Sequence, residues 1–346
     1  MSDTIKIGII GAGSNTTSRH IPGLQAIEGV EIVGVCNRSR DSSQRVADEF
    51  GIPKIYDNWC DAIDDEETGA IVIGTWPYMH CRCTLASIEA GKHVMTEARM
   101  ARNAIEAHMM LDASQTNPDV VTQIVPSPMT LKVDNAIKRL IAEGFLGDIL
   151  AVDIHHAGGF LDTEEGLHWR MNFDYSGYNI QALGIYYEAV LRWAGEATSV
   201  MAKGKTYVTM RKDENGLMRP VRIPQHLDVI ADMACGAQLH VQQSTVNGLM
   251  QGGGVYLFGS EGTLRFFGGE LYGGKKGDDD LQAIEIPADE QGGWRVEEEF
   301  ISAIRGIEVI THTCFEDGVK YMEFVEAVTR SMANGRSIPL PLELDL

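Results

Sequence analysis

The chain has 346 residues, 44% hydrophobic and 23% charged, with a net charge of −20 at neutral pH. That length exceeds what one hydrophobic core ordinarily serves, so two domains are expected, and the composition is that of a globular protein. The acidic balance argues against nucleic acid or an anionic membrane surface as a partner, since either would be repelled. The N-terminus, MSDTIKIG, lacks the charged and apolar regions of a signal peptide, and no apolar run is long enough to span a bilayer. The cysteines at 36, 60, 81, 83, 235 and 314 include no CxxC pair, which suits reduced thiols in the cytoplasm. Cys81 and Cys83 have no second pair of soft ligands beside them, so no metal site is expected there.

The segment Lys6 to His20, KIGIIGAGSNTTSRH, reads as a buried strand, a tight turn at Gly11-Ala12-Gly13 and a helix N-terminus. Glycines there let the backbone turn and approach a pyrophosphate, and the amides of Ser14, Asn15 and Thr16 would face the anion. Thr16 holds the place where the dinucleotide fingerprint has its third glycine. A second strand, Val30 to Cys36, follows at βαβ spacing and ends in Asn37-Arg38-Ser39-Arg40, with no acid before Asp41. An NAD-selective site places a carboxylate near this point, whereas Arg38 and Ser39 suit a 2′-phosphate. NADP(H) is therefore preferred, with NAD(H) possible; the bland alternative is that Arg38 and Arg40 are solvated loop residues.

Helices are expected over Ser43 to Phe50, Asn58 to Asp65 and Pro77 to Ala90, with strands at Ile55-Tyr56, Ala70 to Gly74, Lys92 to Met95 and Val120 to Val125. Thr96 to Arg99 is read as opening a further helix. Alternating buried strands and helices make a doubly wound sheet, with ligands beyond the carboxyl ends of its strands. Thr75, Trp76, His80, Glu97 and Arg99 occupy such positions. Pro126 and Pro128 mark the exit from this domain, set at residues 1–125, into a second domain over 126–346.

After a helix at Val133 to Glu143, strand-like runs dominate: Ile149 to His156, Ser199 to Arg211, His226 to Met233, Ala237 to Val246, Gly254 to Phe258 and Thr263 to Phe267. Several alternate apolar and polar residues, as in a mostly antiparallel sheet with one face covered. Leu183 to Ala194 interrupts them as an apolar helix, and the pairs Gly268-Gly269 and Gly273-Gly274 read as turns. Late helices are expected over Trp294 to Ile307 and Phe315 to Ala333.

Taken together, the chain resembles the glucose-fructose oxidoreductase / inositol dehydrogenase / MocA family. The resemblance is carried by Gly11-Ala12-Gly13, Thr75 with His80, the AGKHV run from Ala90, the GFLG run from Gly144, Leu183-Gly184-Ile185 before Arg192-Trp193, and the FGSEGTL run from Phe258. It implies an N-terminal Rossmann domain, a C-terminal α/β domain with a large open sheet, and nicotinamide-dependent chemistry. The family's Glu-Lys-Pro motif stands here as Glu97-Ala98-Arg99, and its Asp-x-Gly-x-His as Ala182 to Tyr186. Glu97 is retained while the lysine, aspartate and histidine are replaced together. A positioned acid or base contributes roughly 10²- to 10⁴-fold, so the usual proton relay does not transfer.

The replacement candidates are Tyr186, at the family histidine's position, with His168 as its rival and Arg170 or Arg99 as the cation that would lower the phenol's pKa. Arg99, His156, Trp169 and Asn179 are assigned to substrate, and Tyr186 or the His168-Trp169-Arg170 run would otherwise be packing and loop anchors. His155 and His156 point to opposite faces of one strand, so they cannot share a metal. The leading expectation is a cytoplasmic oxidoreductase moving hydride between nicotinamide and a secondary alcohol of a sugar or cyclic polyol. Two others are a retained-cofactor enzyme performing elimination or glycoside cleavage without net redox change, and a catalytically silent nucleotide-binding sensor or assembly subunit. The half-exposed sheet suggests a homodimer or homotetramer.

Overall fold

In the computed structural model, which describes residues 4–251 and 253–344, the chain groups into two units: Met1–Pro126 with Arg295–Val319, and Ser127–Trp294 with Lys320–Leu346. The first is built on six parallel strands, β1 (Ile5–Ile10), β2 (Val30–Cys36), β3 (Lys54–Ile55), β4 (Ala70–Ile73), β5 (His93–Thr96) and β6 (Thr122–Ile124), in the order β3-β2-β1-β4-β5-β6. This is the doubly wound Rossmann order, and its direction reverses between β1 and β4. The apolar run AIVI is buried along its whole length, as a central parallel strand should be.

The connecting helices carry readable end signals. Ser39 caps Arg40–Phe50 through its side chain and Gly51 ends it in the left-handed region, at φ 69°. Asn58 and Asp61 form a reciprocal capping box on Trp59–Asp64. The helix expected to open at Thr96 begins instead at Ala104, where the Asn103 side chain accepts the Glu106 amide at 2.8 Å. Residues 97–103 are therefore a loop at the end of β5.

Residues Arg295–Val319 group with the first unit, whereas the sequence reading assigns all of 126–346 to the second domain. The bonds responsible are specific. Ile124 and Thr313 exchange backbone hydrogen bonds of 3.0 Å each, and the buried Gln123 amide donates to Glu299 at 3.0 Å and to the His312 carbonyl at 2.8 Å.

The second unit carries a nine-stranded sheet formed by β7 (Ile149–Ala157), β8 (Ala197–Lys205), β11 (His226–Met233), β12 (Gln238–Ser244), β13 (Gly254–Gly259), β14 (Gly262–Phe267), β15 (Glu270–Lys275), β16 (Gln282–Ala283) and β17 (Ile338–Pro339); β9 (Met210–Lys212) and β10 (Met218–Pro220) form a separate ribbon. The order is β16-β15-β14-β13-β7-β12-β11-β8-β17, antiparallel except where β7 meets β12. The single strand expected over Ser199 to Arg211 is broken because the Gln225 side chain takes the amides of Tyr207 and Val208, at 2.6 and 3.2 Å. Gly273-Gly274, expected as a turn, lies within β15: a Cβ on Gly273 would stand 2.6 Å from Ile284 Cδ1 and 3.0 Å from Leu264, so glycine is needed for packing.

Helix Leu183–Ala194 is anchored by a buried polar cluster. Arg192 forms an ion pair with Asp134 at 2.9 Å and donates to Glu188 at 2.7 Å, Trp193 donates to Asp134 at 2.7 Å, and Glu188 accepts the Ser127 amide. Each buried charge thereby has an opposite partner, the condition under which such burial is tolerated. On the same helix Tyr187 stacks flat on Phe324, with ring centroids 3.7 Å apart.

Candidate functional site

The carboxyl ends of β1, β2, β4 and β5 bring most of the expected cofactor residues together. Gly11 has φ +86°, and a Cβ there would stand 2.6 Å from Thr75 Cγ2, so both conformation and space require glycine. Gly13 is exposed, and the helical run that starts at Ser14 has a π segment, Thr16–His20, that turns both end residues inward. Thr16, in the third-glycine position, is buried and donates to the Gly11 carbonyl at 3.2 Å. Gly74 makes the room: a Cβ on it would collide with Thr16 Oγ1 and the Gly11 oxygen. The close approach usually given by a third glycine is thus supplied from the neighbouring strand.

A cleft of about 270 Å³ opens over this turn, lined by Gly11, Gly13, Asn37, Arg38, Thr75 and Trp76 among others. Asn37 works structurally: its Oδ1 accepts the Ala12 amide at 2.6 Å and its Nδ2 donates to the Ser42 carbonyl at 3.2 Å, tying the glycine turn to the end of β2. Arg38 lies over the Trp76 ring, 5.6 Å from its centroid. Ser39 caps the helix beginning at Arg40, and Arg40 itself pairs with Asp57. The cleft floor therefore combines a bare glycine turn, a helix N-terminus and an arginine, a set that fits a dinucleotide's phosphates.

His80, expected at the cofactor, is fully buried. Its ring nitrogens meet the carbonyls of Thr75 and Arg99, each at 2.9 Å, so it braces the two loops that follow β4 and β5. Burial pushes its pKa down. Arg99, expected at substrate, is buried as well, with 3% exposure.

Glu97 belongs to a group that sequence reasoning missed. Its Oε1 accepts from Asn15 Nδ2 at 2.5 Å and from His20 Nε2 at 3.0 Å, while His20 Nδ1 meets Glu297 Oε1 at 2.5 Å. With a carboxylate against each ring nitrogen, both nitrogens donate, so His20 is a fully buried imidazolium. Burial alone would lower its pKa, but the hydrogen bonds and charges of Glu297 and Glu97 raise it from 6.5 to about 9. Burial pushes Glu97 upward in turn, yet His20 and Asn15 hold it below the ordinary carboxylate value. Only the spacing of an inward histidine one helical turn past Thr16 hints at this, since the partners lie far along the chain.

In the second unit, β7 carries His156 near its end and helix Leu183–Ala194 carries Tyr186; their rings lie 5.3 Å apart at 51°. Burial lowers the His156 pKa and raises that of Tyr186. The cause of the upward shift of the phenol is its burial. Arg170, expected to lower it, stacks on Trp169 at 4.3 Å, and His168, which is exposed, accepts the Arg170 amide at 3.3 Å. Burial also lowers the pKa of His168, assisted by the Arg170 charge. Asn179 is buried and donates to the Ser176 carbonyl at 2.7 Å, a turn-bracing role. The six cysteines are free thiols, and burial pushes Cys81 and Cys83 up to about 12, which leaves them unreactive. Among the described residues no helix is long and apolar enough to cross a membrane.

A parallel six-stranded sheet with a glycine-turn cleft in one unit and a large mostly antiparallel sheet in the other define a Rossmann nucleotide-binding protein with an open-sheet second unit. The chain belongs to the oxidoreductase family with NAD-binding Rossmann fold, matched over residues 5–124, and its residues 135–265 match the GFO/IDH/MocA C-terminal domain. It is similar to an uncharacterised oxidoreductase of Rhizobium meliloti, 27% identical over 43% of this chain and 45% of the relative. It is also similar to inositol 2-dehydrogenase of Salmonella typhimurium, 27% identical over 50% and 56% respectively. These matches span about half of each curated relative. A levoglucosan dehydrogenase solved with NADH and L-sorbose shares the fold, with a TM-score of 0.83, 20% identity and coverage of 97% of this chain and 99% of that one.

Proposed function

We propose that this protein is an NADP(H)-preferring oxidoreductase that moves a hydride between the nicotinamide and a secondary alcohol carbon of a sugar or cyclic polyol. The observation that carries the reading is the cleft over Gly11 to Gly13, with Arg38 among its lining residues and no carboxylate at the end of β2. Relatives whose names specify inositol or levoglucosan support a polyhydroxylated substrate.

A bound nicotinamide would supply the hydride acceptor or donor. The chain's own residues would do the remainder. Amides following Gly13 would hold the pyrophosphate, and Arg38 with the helix start at Arg40 would hold a 2′-phosphate. Glu97, fixed by Asn15 and His20, stays ionised. For proton exchange with the substrate hydroxyl we assign His156 and Tyr186. His156 is neutral at physiological pH because burial lowers its pKa, so it is the base of the pair. Tyr186, protonated under the same conditions, is the donor.

The test is titration of nucleotide-free protein with NADPH and NADH, followed by a screen of sugars and cyclic polyols for nicotinamide absorbance change. NADPH is expected to bind more tightly. Arg38→Ala is expected to weaken NADPH by about 10- to 100-fold, the value of a charge-assisted contact, while changing NADH little. Equal loss for both nucleotides would refute the 2′-phosphate role, and turnover without absorbance change would refute net redox chemistry.

A further inference from the structure

Away from the residues above, β7, β11 and β12 carry another concentration of ionisable groups. Side chains alternate faces along a strand. Val152, Ile154, Leu239, Val241, Leu227 and Val229 are buried on one face, while Asp153, His155, His240, Gln242, His226 and Asp228 are partly exposed on the other. The parallel register sets His240 beside Asp153 and Gln242 beside His155, and the antiparallel register sets Asp228 beside Gln242. One ligating atom from each of Asp153, His155 and His240 lies within 4.8 Å of the other two. His155 Nε2 is 3.6 Å from Asp153 Oδ2, and the His155 and His240 rings meet edge to face at 5.6 Å.

We propose that Asp153, His155 and His240 form a binding site for a divalent cation of the zinc class, with Asp228 orienting His240 from the adjacent strand.

Two imidazoles and one carboxylate are a borderline donor set, suited to zinc and its neighbours; magnesium and calcium require oxygen shells. Ligand bonds of roughly 2.0–2.2 Å place tetrahedral donors about 3.4 Å apart, so the observed spread closes by side-chain rotation of half-exposed groups without moving the strands. Asp228 Oδ1 lies 4.0 Å from His240 Nε2, and Asp228 is itself held by His226 at 3.1 Å and by Gln242 at 3.2 Å. Drawn in from 4.0 Å to hydrogen-bond distance on metal binding, a carboxylate so anchored would give the usual outer support of a ligating histidine. Together Asp153 and Asp228 balance the cation's charge, and three protein ligands leave a position for water. Lys203, cross-strand from Asp228, is the cation nearest in register and competes for that acid.

The experiment uses the full chain, stripped with a chelator and titrated with zinc alone against a chromophoric chelator. Cys60 and Cys235 are exposed thiols that could bind zinc independently, so the titration is repeated in a Cys60→Ser/Cys235→Ser background. One equivalent per chain is expected in both proteins. His155→Gln and His240→Gln should each weaken binding at least tenfold and abolish the visible d–d absorption of bound cobalt(II), and Asp228→Asn should weaken it less. Circular dichroism checks each variant's fold, and Asp153→Asn substitutes for any that does not fold. Zinc uptake no stronger than that of a His155→Gln/His240→Gln variant would overturn the proposal, as would uptake that vanishes with the cysteines alone.

Discussion

His20 illustrates how one side chain reports on its surroundings. Because its folded pKa is raised, its contribution to stability is fully present below the ordinary value of 6.5 and is lost as pH rises through about 9. Unfolding by urea should therefore show falling stability across that window. His20→Gln should flatten this dependence and cost about 3 kcal/mol at pH 6, since it removes the cation that lies between two carboxylates. A variant whose pH profile matches wild type would show that His20 is not the titrating group. Sequence could not give this group: His20 sits in a helix with an ordinary pattern, and its partners, Glu97 and Glu297, belong to a distant strand end and a late helix. The acid was legible as the retained member of a motif, but its counter-charge was not.

Between neighbouring elements, the packing of β1, β4 and the helix after Gly13 rests on Gly74. Gly74→Ala should destabilise the protein by about 1–3 kcal/mol through overpacking and weaken dinucleotide binding, with differential scanning calorimetry and nucleotide titration as the readouts. A neutral result in both would mean that Thr16 can move aside. The first glycine pair of the fingerprint was evident in sequence, and so was the departure at Thr16. The compensating Gly74 was not, because it reads only as the end of a strand. Similar reasons explain the other misses: the Asn103 cap was overlooked in favour of Thr96, and Gly273-Gly274 carries the composition of a turn although packing demands the glycines within a strand. For the pair on β7 and the helix at Leu183, Tyr186→Phe should lower kcat by roughly 10²-fold or more if the phenol transfers a proton. Turnover equal to wild type would leave Tyr186 as a packing partner of His156.

Across the molecule, the doubly wound half was the more legible because its short, largely apolar strands, β4 most plainly, alternate with helices that carry readable caps, whereas the second unit's order depends on long-range pairing such as β7 with β12. The return of Arg295–Val319 to the first unit had no local signature. It matters for stability: a fragment comprising residues 1–126 lacks Glu297, Glu299 and the Thr313 edge pairing, so His20 keeps Glu97 but loses its second carboxylate, and the Gln123 amide loses Glu299 and the His312 carbonyl. Such a fragment should unfold at least 5 °C below the full chain's lower transition, a shift of the size expected for a loss of about 2 kcal/mol in a domain of this length. Equal melting would mean that the return segment contributes no stability.

That return also imposes an order on synthesis. His20 and Glu297 are separated by 277 positions, so at roughly 5–20 residues per second the histidine leaves the ribosome about 14–55 s before its second carboxylate exists. During that interval the nascent nucleotide fold has its glycine turn and its first five crossovers but an open edge at β6 and an imidazole with one acid. Completion waits until nearly all of the second unit has been translated, which makes the C-terminal third of the gene a determinant of when the N-terminal fold closes its last edge and gains its buried counter-charge.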